Sequence, residues 1–239
     1  MDSVCAPVAA KVNEVRRRMA AAAGRAGRAP EDIALMAAVK SRTPEEIRAV
    51  LSAGLTLLGE NRLQEGLAHL EALGPGVRPT FQAHFIGRLQ TNKARRAVQA
   101  FDSLDSVDSL RLAEVLSRLA TECQVRLPIL LEVNLGEESQ KGGVAPEETE
   151  ALADAVHRFP GLQLSGLMGV CPYDEEPQAS RPFYRTLARL FEHIRRNHPE
   201  PEACRWLSMG MSHDFEVAVE EGATLVRVGQ ALFGPRRPA

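Results

Sequence analysis

Lys40 closes the apolar run Ile33-Ala34-Leu35-Met36-Ala37-Ala38-Val39, and the turn chemistry Ser41-Arg42-Thr43-Pro44 follows at once. A short aliphatic run bounded by turn residues reads as a buried strand, so the lysine projects its amine from the strand's carboxyl end. In α/β proteins that edge carries the ligand site. Imine chemistry with an aldehyde needs a neutral, nucleophilic amine, which partial desolvation favours. The plainer reading is a strand-end lysine that snorkels its ammonium into water.

Two later stretches offer anion chemistry. Ser208-Met209-Gly210-Met211-Ser212 and Arg227-Val228-Gly229-Gln230 each place glycines where a strand gives way to a helix. Glycines let backbone approach a ligand, and helix-start amides beyond them form a cradle for phosphate, which barrels often place after strands seven and eight. Ser208, Gly210, Ser212, Gly229 and Gln230 would line it. The competing reading makes Gly210 and Gly229 mere turn formers, Ser212 the N-cap of a helix from His213, and Asp214 and Glu216 complements to its dipole. Further polar residues stand at predicted strand ends: Gly59-Glu60-Asn61, His84 with Gly87-Arg88 and Asn92, Glu132 with Asn134, and Met168-Gly169.

The elements that must hold these groups follow from hydrophobic period. Val8, Val12, Val15 and Met19 recur at helical spacing, so an amphipathic helix opens the chain and stops near Gly24 or Gly27. Strands are expected at residues 33–40, 55–59, 80–86, 101–107, 127–134, 162–170, 206–209 and 224–228. Helices starting near Pro44, Arg62, Thr91, Asp108, Pro146, Pro182 and His213 separate them. Eight strands alternating with helices over short loops predict a closed (β/α)8 TIM barrel, one domain spanning residues 1–239, with the opening helix as an addition. A doubly wound open sheet is the runner-up, but no GxGxxG follows the first strand.

With 29 basic and 31 acidic residues among 239, bulk charge points to neither a nucleic-acid nor a membrane partner. The four cysteines, Cys5, Cys123, Cys171 and Cys204, lie far apart without CxxC pairing. No secretory segment or bilayer-length apolar run is seen, so a cytoplasmic protein is expected. His84 and His213 lack partners at metal-ligand spacing, and no metal is expected. The cluster Arg88, Lys93, Arg95 and Arg96 reads first as a solvated helix face and second as a guide for an anionic ligand or partner.

An aldehyde-seeking lysine on strand one and a phosphate cradle on strands seven and eight together specify pyridoxal 5′-phosphate. The chain resembles the pyridoxal phosphate homeostasis proteins, single-domain relatives of the alanine racemase barrel domain. The resemblance is carried by Ala38-Val39-Lys40 through Ile47, Gly59-Glu60-Asn61-Arg62-Leu63-Gln64-Glu65, and His84-Phe85-Ile86-Gly87-Arg88-Leu89-Gln90-Thr91-Asn92-Lys93. It continues through Ser106-Val107-Asp108-Ser109, Glu132-Val133-Asn134, Gly166-Leu167-Met168-Gly169, Leu207 to Glu216 and Val226 to Gly234. It implies an internal aldimine on Lys40, phosphate at Ser208 or Ser212 and the Gly229-Gln230 turn, Arg227 facing the pyridine nitrogen, and Asn61 nearby. The family commonly carries threonine where Gln230 stands, which removes a hydroxyl donor.

An arginine at the ring nitrogen stays charged, leaves that nitrogen unprotonated and makes the ring a weaker electron sink. Alanine racemases add a second domain with a catalytic tyrosine, whereas this chain ends at Ala239 and holds just Tyr173 and Tyr184. The resemblance therefore implies a carrier, with no catalytic residue, that exchanges cofactor with apo-enzymes or amines, and a pattern without a large exposed apolar stretch is compatible with a monomer. A small racemase or related pyridoxal enzyme and a cofactor-free barrel aldolase using Lys40 are the rival readings. Lys141, in Ser139-Gln140-Lys141-Gly142-Gly143, is a weaker candidate for a second aldehyde-binding amine.

Overall fold

The computed structural model describes residues 2–136 and 142–235, so Lys141 lies outside the described residues. Eight parallel strands close on themselves in chain order: β1 (Ala34–Ala38), β2 (Leu57–Glu60), β3 (Gln82–Phe85), β4 (Ser103–Val107), β5 (Leu127–Asn134), β6 (Leu162–Val170), β7 (Trp206–Ser208) and β8 (Leu225–Val228). The ring is sealed where β1 pairs with β8, Ala37 beside Val228. The expected (β/α)8 barrel is thus present. Nine α-helices are described around it: α1 (Asp2–Arg25), α2 (Pro44–Ser52), α3 (Leu63–Leu73), α4 (Ala94–Ala100), α5 (Leu110–Glu122), α6 (Pro146–Val156), α7 (Arg181–Asn197), α8 (Phe215–Glu220) and α9 (Gln230–Phe233).

The period of each segment explains its place. Val8, Val12, Val15, Met19, Ala22 and Ala23 form one buried stripe of α1, which packs on α2, α8 and α9. The helix stops at Arg25, and Gly27 takes the left-handed φ of 66° that suits a terminating glycine. Leu112, Leu116 and Leu119 make the matching stripe of α5. Burying each such leucine stabilises the fold by about 2 kcal/mol. α2 starts on a reciprocal capping box: the Thr43 amide donates to Glu46 Oε2 at 2.9 Å, and the Glu46 amide donates to the Thr43 hydroxyl at 3.3 Å.

Several expectations are corrected. β1 ends at Ala38, so Lys40 sits two residues past the strand, in the turn. Ser212 does not cap α8; Asp214 occupies that position, and α8 begins at Phe215. His84 is not at the carboxyl edge. Its Nδ1 lies 2.8 Å from Asp105 Oδ2, and Ser103 donates to Asp105 Oδ1 at 2.5 Å. The cavity beside them, about 220 Å³, is lined by Gln82, Pro128, Gln163 and Trp206, all first or second residues of their strands. His84 therefore faces the amino-terminal mouth of the barrel. Burial works against its positive charge, but the Asp105 carboxylate outweighs burial and raises the imidazole pKa. Among the described residues no helix is long and apolar enough to cross a membrane.

Candidate functional site

The turn after β1 is held from two sides. The Ser41 amide donates to the Glu65 carboxylate on α3, and the buried Arg42 guanidinium donates to the Gly234 carbonyl at 2.9 Å just beyond α9. Arg42 also lies 5.0 Å above the Phe233 ring. Ser41 adopts a left-handed φ of 59°, which costs a non-glycine residue roughly 1 kcal/mol. Strain of this kind persists where the surroundings over-determine it. Half-buried Lys40 is thereby fixed between the exits of β2 and β8.

At the exit of β8, the Gly229 and Ala231 amides both donate to the Ser212 hydroxyl oxygen, at 3.1 and 3.2 Å. Two amides converging on one oxygen make an oxyanion geometry. The adjoining opening, about 390 Å³, is lined by Ser212, His213, Gln230, Ala231, Gly234 and Pro235. The loop bearing Ser212 is itself pinned. Gly210 has a φ of 90°, and a Cβ there would come within 2.5 Å of the Ala218 methyl, so only glycine fits. Asp214, buried, accepts from the Met211 amide at 2.8 Å, the Ser180 hydroxyl at 3.0 Å and the Tyr184 hydroxyl at 2.7 Å.

Deeper in the barrel, Arg227 donates to the Ser208 hydroxyl at 2.6 Å and to the Gly169 carbonyl at 2.9 Å. Burial lowers its pKa while the carboxylates Asp105, Glu132 and Asp214 pull the other way. Ser208 is fully buried and does not line the opening beside Ser212. The expected residues thus fall into three groups. Lys40 stands in the β1 turn; Ser212, Gly229 and Gln230 surround the amide pair; Ser208 and Arg227 form a buried cluster. Exposed Asn61 lies apart from these, on a separate cleft past β2. Its neighbour Glu60 turns away from the barrel axis toward α3, 2.7 Å from His69 Nδ1.

Glu132 was read merely as a polar strand end, yet it is the most perturbed acid of the site. Burial first, and the nearby Asp108 carboxylate second, raise its pKa to about 7, against Arg227 and Arg88. The signal available in sequence was a single carboxylate interrupting Pro128-Ile129-Leu130-Leu131-Glu132-Val133. Its folded pKa exceeds its unfolded value, so the native state binds the extra proton between about pH 4.5 and 7 and loses stability as pH rises through that window. Replacing Glu132 with glutamine is expected to leave stability near pH 4 unchanged and to raise it by about 2 kcal/mol at pH 8. Denaturant melts at both pH values check this. Equal effects at the two would reject it.

The Ser212 hydroxyl, accepting from two amides, keeps its proton to donate to an anion, and the Asp214 carboxylate is already committed to its own donors. A half-buried lysine leaves the neighbouring strand. A closed eight-stranded barrel with a half-buried lysine past strand one and glycine- and serine-bearing turns past strands seven and eight defines a class. The family model described as the alanine racemase N-terminal domain matches residues 11–237, and the chain belongs to that class.

Relatives narrow the family. The chain is 41% identical to the pyridoxal phosphate homeostasis protein of Aquifex aeolicus, over 95% of this chain and 97% of that protein. It is 36% identical to the Escherichia coli K12 protein of the same name, over 96% and 97%. The chain is a member of the pyridoxal phosphate homeostasis protein family. Among solved structures, an unknown protein from Bifidobacterium adolescentis superposes with a TM-score of 0.92 at 35% identity, covering 98% of this chain and 97% of that one. PipY of Synechococcus elongatus, solved with PLP bound, gives 0.80 at 32% identity, covering 95% and 100%. The alanine racemase of Corynebacterium glutamicum shares the fold alone, at 0.74 and 18% identity, with the chain covering 62% of its length.

Proposed function

We propose that this protein binds pyridoxal 5′-phosphate, with Lys40 as covalent anchor, and serves as a carrier or buffer of the cofactor rather than as an enzyme. The reading rests on the Ser212 hydroxyl, held by the Gly229 and Ala231 amides just past β8, the strand that pairs with the one leading to Lys40. Ser212, Gly229 and the backbone of Gln230 are assigned to the phosphate and Arg227 to the ring, with Asn61 bordering the pocket from the β2 side. Ser208 is assigned to positioning Arg227, whose guanidinium it accepts from. A glutamine at 230 costs the cradle little, since its amides belong to the backbone and Ser212 already supplies a hydroxyl.

Bound there, pyridoxal phosphate supplies a reactive aldehyde that condenses with amines. What the chain contributes is an amine fixed in place, a cation that donates without giving up its proton, and walls that limit access. Racemisation needs a free base on the second face. Tyr184 is buried with its hydroxyl committed to Asp214, and burial drives its pKa far above the usual phenol range. Tyr173 is exposed and leans on His213, ring centroids 5.6 Å apart. We further propose that the protein acts as a cytoplasmic monomer, handing cofactor to apo-enzymes by transient contact.

Adding pyridoxal phosphate to purified protein is expected to produce a near-ultraviolet to visible band that borohydride bleaches. Loaded protein should then racemise or transaminate a panel of amino acids no faster than free cofactor. Failure to bind the vitamer would overturn the cofactor assignment, and turnover well above free cofactor would overturn the carrier reading.

A further inference from the structure

Over the exits of β2, β3 and β4 lies a cleft of about 900 Å³ that the cofactor assignment does not use beyond Asn61 at its edge. Arg62, Arg88 and Lys93 line it, and among the described residues the side chains of all three lack a hydrogen bond or ion pair. By contrast, Arg95 of the same basic cluster is held 2.5 Å from Glu122 on the outer surface. Of the two acids lining the cleft, Glu65 accepts from the Ser41 amide, and Asp108 accepts from the Ser109 hydroxyl and lies at the Glu132 end.

Two of the cations are preorganised. Gly87 packs so tightly on Asn61 that an added Cβ would stand 1.9 Å from the Asn61 carbonyl oxygen, and the Ile86 amide donates to the Glu60 carbonyl at 2.9 Å. Arg62 and Arg88, each the next residue along, therefore leave from abutting backbones. Guanidinium forks on a fixed base match oxyanions by paired hydrogen bonds, and a concave wall focuses the field of three like charges. Gln90 and Thr91 add neutral donors at the rim.

We infer that this cleft is a second binding site, for a small oxyanion ligand carrying a phosphate monoester or a carboxylate, held by Arg62, Arg88 and Lys93 while the Lys40 site is filled. The site is separate from Lys40 and does not depend on the cofactor reading. It borders that site through Glu65 and Asn61, so a bound anion stands beside the Lys40 turn.

Calorimetric titration of the protein loaded with pyridoxal phosphate, using inorganic phosphate and, separately, succinate, tests the inference. Saturable binding of one or both is expected, at least about tenfold weaker in Arg88→Ala and in Lys93→Ala, and unchanged in Arg95→Ala, whose side chain is held by Glu122 away from the cleft. Phosphate alone would assign a phosphate ester and succinate alone a carboxylate. Three results would overturn the site: no saturation by either anion at about 10 mM, binding indifferent to Arg88→Ala and Lys93→Ala, or binding weakened as much in Arg95→Ala. Melting curves of these variants, expected to match the parent, separate lost ligation from lost fold.

Discussion

Lys40→Ala is expected to remove the absorbance band formed with pyridoxal phosphate and all label retained after borohydride. The side chain is half-buried in a turn whose backbone is tied by Glu65 and by Arg42, neither of which needs the lysine amine. Stability should therefore change by less than about 0.5 kcal/mol. The cofactor keeps its phosphate contacts in the variant but loses its covalent link, and affinity should fall by at least about 100-fold, about 2.7 kcal/mol. Ser212→Ala should behave in the opposite way, keeping the band with affinity altered by less than about tenfold, because the two amides remain. Absorbance titration and mass measurement after reduction read both variants. A reducible adduct surviving in Lys40→Ala would move the anchor to another amine, with Lys141 the first to substitute.

The barrel was legible because each strand carries its own boundary marks. β5 and β6 have the predicted bounds, Leu127–Asn134 and Leu162–Val170, since both are long apolar runs closed by turn residues. α9 went unseen: four residues, Gln230–Phe233, are too few to show a helical period. Ser212 shows what local reading misses. A serine before His213-Asp214-Phe215-Glu216 has every attribute of an N-cap, yet its oxygen takes amides 17 and 19 residues away, which only closure of β7 on β8 brings near. His84 failed for a related reason. Its motif ends at the carboxyl edge, but the side chain is drawn by Asp105, on the neighbouring strand, toward the opposite mouth. Lys40, Gly229 and Arg227 stand out in the sequence because each lies at or just past a strand end, which a local apolar run reveals. The surroundings that set their chemistry, such as Asp108 beside Glu132, are tertiary and leave no periodic trace.

Arg227→Ala should be the most destabilising change within the site. The guanidinium is buried, satisfies Ser208 and Gly169, and faces Asp105, Glu132 and Asp214. Truncation leaves a buried hydroxyl and carbonyl short of a donor and three acids short of a cation, a loss of about 3–5 kcal/mol. Arg227→Lys keeps the charge but gives up the fork that reaches both oxygens, and should cost about 1–2 kcal/mol. The deficit of the alanine variant carries a pH signature. Arg227 lowers the pKa of Glu132, so its removal sends that pKa above the present value of about 7. Below that pH Glu132 is protonated in both folded proteins and contributes no difference. Above it, the parent ionises while the variant must hold the proton or bury an unpaired charge, so the stability gap widens with alkalinity. Denaturant unfolding at pH 6 and pH 8.5 measures that gap. A loss below about 1 kcal/mol, or a gap that stays constant between the two pH values, would mean that Arg227 does not hold the acids of the barrel in balance.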